Sequence, residues 1–170
     1  MKVLDLACGS GRYGITIAET NPRAEVTLFD RANVLRKTRP IARKSKAAAR
    51  IRFRSGNLFE ADLGGPYDLV VASHILHHFS LEECDLVVKR IHSSLNPGGK
   101  VAIQEFIVDN ARASRTRQIF FSLVMLVWTD KGEAWSFQDY RQLLAGNSFR
   151  NIRFMNRQQP SQFVIAERSR

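Results

Sequence analysis

The segment VLDLACGSGRYG, residues 3–14, constrains this chain more than any other part of it. Its apolar start reads as a buried strand, its glycines as a tight turn, and its end as the opening of a helix. A strand that feeds a helix through so short a turn begins a βαβ unit, and such units build parallel sheets. The remaining chain repeats the step. Strands are expected at 2–7, 25–30, 51–56, 67–73 and 100–109. Helical stretches are expected at 12–20, on either side of Pro40, at 81–95, at 112–128 and at 136–146. NPGG at 96–99 reads as a turn and Gly146 as a helix C-cap, while 149–156 and 161–168 read as a closing pair of strands. No repeat or low-complexity linker interrupts this order. Residues 1–170 are therefore expected to form a single domain of the α/β class with a mainly parallel sheet.

Composition narrows the setting. The only cysteines are Cys8 and Cys84, too few for a disulfide framework, so a cytoplasmic location is expected. The most apolar run, IFFSLVMLVW at 119–128, is half of the ~20 residues that span a bilayer, so it reads as a helix lining a core or a pocket. The net charge of +10 is uneven: ten Lys and Arg residues and no acid lie between Arg31 and Arg54. A nucleic-acid patch and a solvated helix face compete for that stretch. Phe53 is its one aromatic ring, which favours the solvated face and makes nucleic acid the second choice of partner.

Gly9, Gly11 and Gly14 match G-x-G-x-x-G, and Asp30 closes the next strand at the distance of a dinucleotide fingerprint. Asp5 argues against a dinucleotide. A pyrophosphate belongs over bare amides at a helix N-terminus, and a carboxylate at the end of the first strand repels it. The same carboxylate suits a ligand with a cationic ammonium and sulfonium, as in S-adenosylmethionine. Asp30, an acceptor-only group when ionised, then takes the two ribose hydroxyls.

These motifs in order resemble the class I S-adenosylmethionine-dependent methyltransferases: DLACGSG, the acid of LFD, SGNLFE, YDLVVASHILHHF and LNPGGKVAIQE. The resemblance covers nearly the whole chain. It implies a Rossmann-like, doubly wound α/β fold with a mainly parallel seven-stranded sheet, an antiparallel final strand and helices on both faces. It implies S-adenosylmethionine as cofactor, held by Asp5, Ala7, Gly9, Gly11, Asp30, Arg31, Asn57, Leu58, Ser73 and His74. Asn57 departs from the usual Asp that meets the adenine amino group, but its side-chain carbonyl keeps an acceptor there.

After the fourth strand stands ASHILHHF, with neither the Asn/Asp-Pro-Pro-aromatic stretch of exocyclic-amine enzymes nor the Pro-Cys nucleophile of cytosine C5 enzymes. ILHHFSLEEC is similar instead to the I-L-H-D-W-S-D-E-x-C stretch of small-molecule O-methyltransferases, the plant phenol and acetylserotonin type and its bacterial relatives. That resemblance puts the catalytic base at His77, with His78 in the Asp position, Phe79 in the Trp position and Leu81 in the second Asp position. The flanking catalytic acids fall on Glu105 and Glu133, although the family's Glu-Arg-Thr reads Glu-Ala-Trp at 133–135. The family's cofactor-contacting Lys or Arg falls on Ser73 or His74.

The implied reaction is methyl transfer to a hydroxyl of a small, aromatic acceptor. A phenol has a pKa near ~10 and an ordinary imidazole near ~6.5, so a neutral His can take the proton during attack. Met125 and Trp128 are candidates for the acceptor wall, with plain core packing the competing reading. No metal is expected: His74 and His77 have i, i+3 spacing, but no third ligand with suitable local spacing follows. His92 reads as a surface or packing residue. Relatives carry an N-terminal helical domain for dimerisation, whereas Met1 here stands three residues before Leu4 of the first strand. A catalytic-domain fragment, or a shortened chain that binds cofactor without turnover, is the resulting expectation, with a homodimer left open. An RNA methyltransferase using the 31–54 stretch is the alternative.

Overall fold

The computed structural model describes residues 1–113, 116–155 and 158–169. Seven strands form one sheet in the order β3-β2-β1-β4-β5-β7-β6. They are β1 (Lys2–Leu6), β2 (Glu25–Asp30), β3 (Ile51–Ser55), β4 (Tyr67–Ser73), β5 (Leu95–Glu105), β6 (Phe149–Met155) and β7 (Gln162–Arg168). Pairings from β3 across to β5 are parallel, and β7 runs antiparallel to both β5 and β6. The sheet is Rossmann-like, with its final strand reversed. The helices are α1 (Arg12–Thr20), α2 (Ala32–Arg43), α3 (Leu81–Ser94), α4 (Thr116–Trp128) and α5 (Phe137–Gly146).

Alternation along the strands sorts the core into two layers. Leu4, Leu6, Val70, Ala72, Val101, Ile103 and Val164 face Val87, Val88 and Ile91 of α3 and Tyr140 and Leu144 of α5. Val3, Val26, Leu28 and Val71 face the other way, toward Ala18 of α1 and Ala42 of α2. Gly14 shows how tightly α1 sits on the sheet: a Cβ there would stand 2.4 Å from Leu28 Cδ2. α3 and α5 each begin with a capping box, Ser80 with Glu83 and Ser136 with Asp139, so both starts are set by local sequence.

Four expectations are corrected. Pro40 does not divide the basic stretch into two helices; α2 runs through it to Arg43. Pro40 lies on the exposed side, where water can serve the carbonyl its ring leaves unpaired. NPGG is not a free turn but part of β5: Leu95 pairs with Tyr67, the register shifts, and pairing resumes at Leu69 with Lys100. The strand then ends at Glu105 rather than 109. Gly146 is the last residue of α5, and Asn147 is its C-cap. Positions 114 and 115 of the expected 112–128 helix, and 156 of the expected strand, lie outside the described residues.

Candidate active site

The predicted residues converge because the parallel strands all end on one side. Asp5 and the glycine turn follow β1, Asp30 ends β2, His74 and His77 follow β4, and Glu105 ends β5. β1 and β4 are adjacent, with their outgoing connections on opposite faces, which makes the crevice between them the switch point of the sheet.

At the first-strand side, Asp5 is buried and its Oδ2 accepts the Gly14 N–H at 2.8 Å, tying β1 to the first turn of α1. Burial is the main force pushing its carboxyl up, to about 7; the Gly14 bond pulls the other way and Asp30 adds to the rise. Burial also drives the neighbouring Cys8 thiol up, which leaves it a neutral packing group. Asp30 accepts the Gly9 N–H at 2.9 Å through Oδ2 and the Arg31 N–H at 2.7 Å through Oδ1. Each of these oxygens keeps a further lone pair for a ligand. Ala7 and Gly9 both have positive φ, 53° and 54°, and nothing lies within 4 Å of where a Gly9 Cβ would stand. That open space over the turn is what a bound ligand at this loop requires. Ala7, Asp30, Arg31, Asn57 and Leu58 line one cavity of about 80 Å³. Asn57 Oδ1 already accepts the Phe59 N–H at 3.1 Å, so an adenine amino group would use its second lone pair.

At the fourth-strand side, the chain leaves β4 through Ser73 and His74 into a 3₁₀ turn, Leu76–His78. His74 sits at φ 52°, held by its N–H on the Gln104 carbonyl at 2.9 Å. Ser73 Oγ donates to Gln104 Oε1 at 3.1 Å, and His74 Nε2 meets Ser161 Oγ at 3.2 Å. Glu105 is buried beneath the turn. Its Oε1 accepts the N–H groups of Ile75 and Leu76, each at 2.9 Å, and that of His77 at 3.4 Å. Its Oε2 lies 2.6 Å from His77 Nδ1, and His77 is itself buried. A carboxylate only accepts, so the network assigns the proton to Nδ1 and leaves the Nε2 lone pair as the basic site. Desolvation pushes His74 and His78 down; nearby Glu105 opposes that shift in both, and His77 reinforces it. Burial pushes Cys84, under the same turn, up to about 12.

His74, His77 and Glu105 bring three ligand-type atoms within 4.8 Å of one another, with the third supplied by a strand distant in sequence. His77 Nδ1 and Glu105 Oε2 form a hydrogen-bonded pair at 2.6 Å, and His74 Nδ1 lies 3.8 Å from the same oxygen. Glu133 follows Gly132, which abuts the His77 backbone, and its Oε1 is ion-paired with Arg112. Trp128 is exposed at 81% and does not wall the dyad, whereas Met125 is buried. His92 packs edge-on against Phe149, as a packing residue does.

Sequence reasoning missed the aromatic surroundings. Phe121 meets the His77 ring edge-on at 4.8 Å and Phe106 at 4.3 Å, while Phe59 and Phe79 pair edge-to-face at 5.0 Å beside the Asp30 cavity. Gly132 was missed too: a Cβ there would stand 2.3 Å from the His77 carbonyl. The apolar run at 119–128 was the available signal for Phe121, but not for which side of the helix it takes.

Comparison with known proteins fits this arrangement. The family model for the O-methyltransferase domain matches residues 1–150. The chain belongs to this O-methyltransferase family. Acetylserotonin O-methyltransferase of Mus musculus is 32% identical over 170 residues, which is 98% of this chain and 43% of the mouse protein. A solved Nostoc punctiforme protein assigned as an O-methyltransferase superposes with a TM-score of 0.94 at 33% identity, over 99% of this chain and 52% of that one. Human N-acetylserotonin methyltransferase, solved in complex with S-adenosylmethionine, gives a TM-score of 0.89 at 25% identity, over 99% of this chain and 48% of that one. The chain thus spans about half the length of the relatives it matches. Among the described residues no helix is long and apolar enough to cross a membrane.

Proposed function

We propose that this chain carries S-adenosylmethionine-dependent methyl transfer to a hydroxyl of a small aromatic acceptor, with His77 as general base. The observation that carries the reading is the buried His77–Glu105 pair at 2.6 Å, next to the crevice of Asp5, Gly9 and Asp30. The acetylserotonin relatives support an aromatic acceptor.

The residues present suit the cofactor. Asp30 would offer acceptors to its ribose, Ala7, Arg31, Asn57 and Leu58, which line one cavity with Asp30, would hold the base, and Asp5, Gly9, Gly11, Ser73 and His74 would complete the site. Bound there, the cofactor supplies an electrophilic methyl group on a cationic sulfur. His77 accepts the acceptor's hydroxyl proton at Nε2, while Glu105 holds the Nδ1 proton and offsets the charge that develops on the ring. Phe121 and Phe106 shield the dyad from water on one side, which strengthens its electrostatics. Glu133, ion-paired with Arg112, is the second acid of this scheme, next in the chain to Gly132 at the His77 backbone.

His77→Gln and His77→Ala, assayed at saturating cofactor over a panel of phenols, test the assignment. A rate loss of about 10²–10⁴ with unchanged cofactor affinity is expected. An unchanged rate in a folded variant overturns it. Cofactor binding without turnover of any phenol would leave a binding domain instead, and salt-sensitive RNA binding would favour the alternative acceptor class.

A further inference from the structure

Methyl transfer gives the His74 ring no proton to move, yet the ring is firmly held. Its Nε2 meets Ser161 Oγ at 3.2 Å, and its centroid lies 4.9 Å from that of Phe106. A proton on Nε2 serves Ser161 and leaves a lone pair at Nδ1. That nitrogen is buried and has no hydrogen-bond partner among the described residues. Glu105 Oε2 lies 3.8 Å away, too far for a hydrogen bond.

A buried lone pair beside a carboxylate oxygen and a second imidazole is a donor set that suits a cation. His74 Nδ1, His77 Nδ1 and Glu105 Oε2 lie within 4.8 Å of one another. Ligand atoms held at about 2.0–2.1 Å by a tetrahedral zinc ion stand about 3.3 Å apart. The distances of 2.6 Å from Glu105 to His77 and 3.8 Å from Glu105 to His74 bracket that separation. Shifts of under ~1 Å in each side chain therefore assemble the site. Outer contacts already orient two of the ligands: Ser161 holds His74, and three N–H groups hold Glu105 through Oε1. Two imidazoles and one carboxylate select zinc over magnesium or calcium, which take oxygen ligands. The His74 side chain is 32% exposed, which gives the ion a way in from solvent.

We propose that His74, His77 and Glu105 form a zinc site, and that zinc bound there stops methyl transfer. The site stands on its geometry alone, whereas the inhibition rests on the reading of His77 as general base. The ion takes the lone pair at His77 Nδ1, so the single proton of the neutral ring moves from Nδ1 to Nε2. The Nδ1–Oε2 hydrogen bond is exchanged for two bonds to the metal. Nε2, now protonated, cannot accept the proton of the acceptor hydroxyl. Zinc is thus an inhibitor that displaces a proton, not a cofactor of the reaction.

Chelator-treated chain, titrated with Zn²⁺ by calorimetry and with Co²⁺ by visible absorption, tests the site. One ion per chain with a Kd at or below ~10 µM is expected. Ser161→Ala removes only an outer contact and should weaken binding about tenfold, and His74→Gln should weaken it at least about a hundredfold. His78→Gln should leave the affinity unchanged. Far-UV circular dichroism confirms that each variant is folded. Turnover of phenols at saturating S-adenosylmethionine should fall along the same zinc titration and return with chelator. Nitrogen-15 NMR should find the His77 proton on Nε2 when zinc is bound. Absence of binding by either ion up to ~100 µM overturns the proposal, as does an affinity indifferent to His74→Gln. The binding measurements need no acceptor, so they decide the site whether or not a phenol is turned over. Zinc bound at the site with turnover unchanged refutes the inhibition, and with it the base role of His77.

Discussion

Glu105→Gln separates the structural duty of Glu105 from its chemical one. Three N–H groups, from Ile75, Leu76 and His77, point at Oε1, so a glutamine at this site must present its amide oxygen to them. The opposite orientation would face donors with donors in a buried place, at a cost of several kcal/mol. With its oxygen so held, the amide NH₂ replaces Oε2 at the 2.6 Å contact with His77 Nδ1. Nδ1 must then accept, its proton moves to Nε2, and the base has no lone pair left for the acceptor hydroxyl.

The general-base share of such a reaction is about 10²–10⁴, and the same carboxylate-to-amide change in the serine protease triad costs about 10⁴ in turnover. We expect a loss of about 10³ here, or about 4 kcal/mol of transition-state stabilisation. Single-turnover rates at saturating cofactor, over phenols of graded acidity, measure it. The deficit should shrink for the most acidic phenols, which are already ionised and need no base. Nitrogen-15 NMR of the imidazole should show the proton on Nδ1 in the parent and on Nε2 in the variant. A variant rate within about twofold of the parent, or a deficit equal for all phenols, refutes the tautomer argument.

Asp5, raised to about 7 by burial, works against stability at neutral pH: its contribution is full below the unfolded value and is lost as pH rises through 7. Asp5→Asn should therefore stabilise the cofactor-free chain at pH 8 by up to about 4 kcal/mol and much less at pH 4, as read by urea unfolding. Equal effects at both pH values would contradict the assignment. Gly132→Ala drives a Cβ against the His77 carbonyl, so it should cost about 1–3 kcal/mol and lower turnover more than it weakens cofactor binding. Calorimetry beside the rate assay checks that split. Arg50 donates to the carbonyls of Ala18, Asn21 and Ala24, at 2.6, 3.0 and 2.7 Å, whereas Arg54 meets Asp62 in the open. Thermal unfolding should therefore show Arg50→Ala destabilising by about 2–3 kcal/mol, with Arg54→Ala near neutral.

Arg50 also illustrates the limits of composition. In the sequence it is one of ten basic residues, but in the fold it caps the end of α1, while Arg39 lies over the Phe53 ring at 4.5 Å. Similar limits govern the helices. Capping boxes at Ser80 and Ser136 are local signals and mark the starts of α3 and α5 correctly. Pro40 is a local signal too, and it misleads, because whether a proline ends a helix depends on whether solvent can satisfy the carbonyl it orphans.

The strand–turn–helix motif, the alternation of apolar runs and the order of motifs along the chain are properties of neighbours in sequence. They were sufficient for the α/β class, its mainly parallel sheet and the candidacy of Asp30, whereas the reversed final strand and the candidacy of His77 and Glu105 came from the resemblance to small-molecule O-methyltransferases. Tertiary structure alone decided three further matters. It closed Glu105 onto His77 across 28 positions of chain, turned Glu133 to Arg112, and put Gln118 and Ser122 inside α4 with its apolar stripe outside. The reason is physical: periodicity states which side chains share a face, but only packing against the rest of the sheet determines which face is taken out of water.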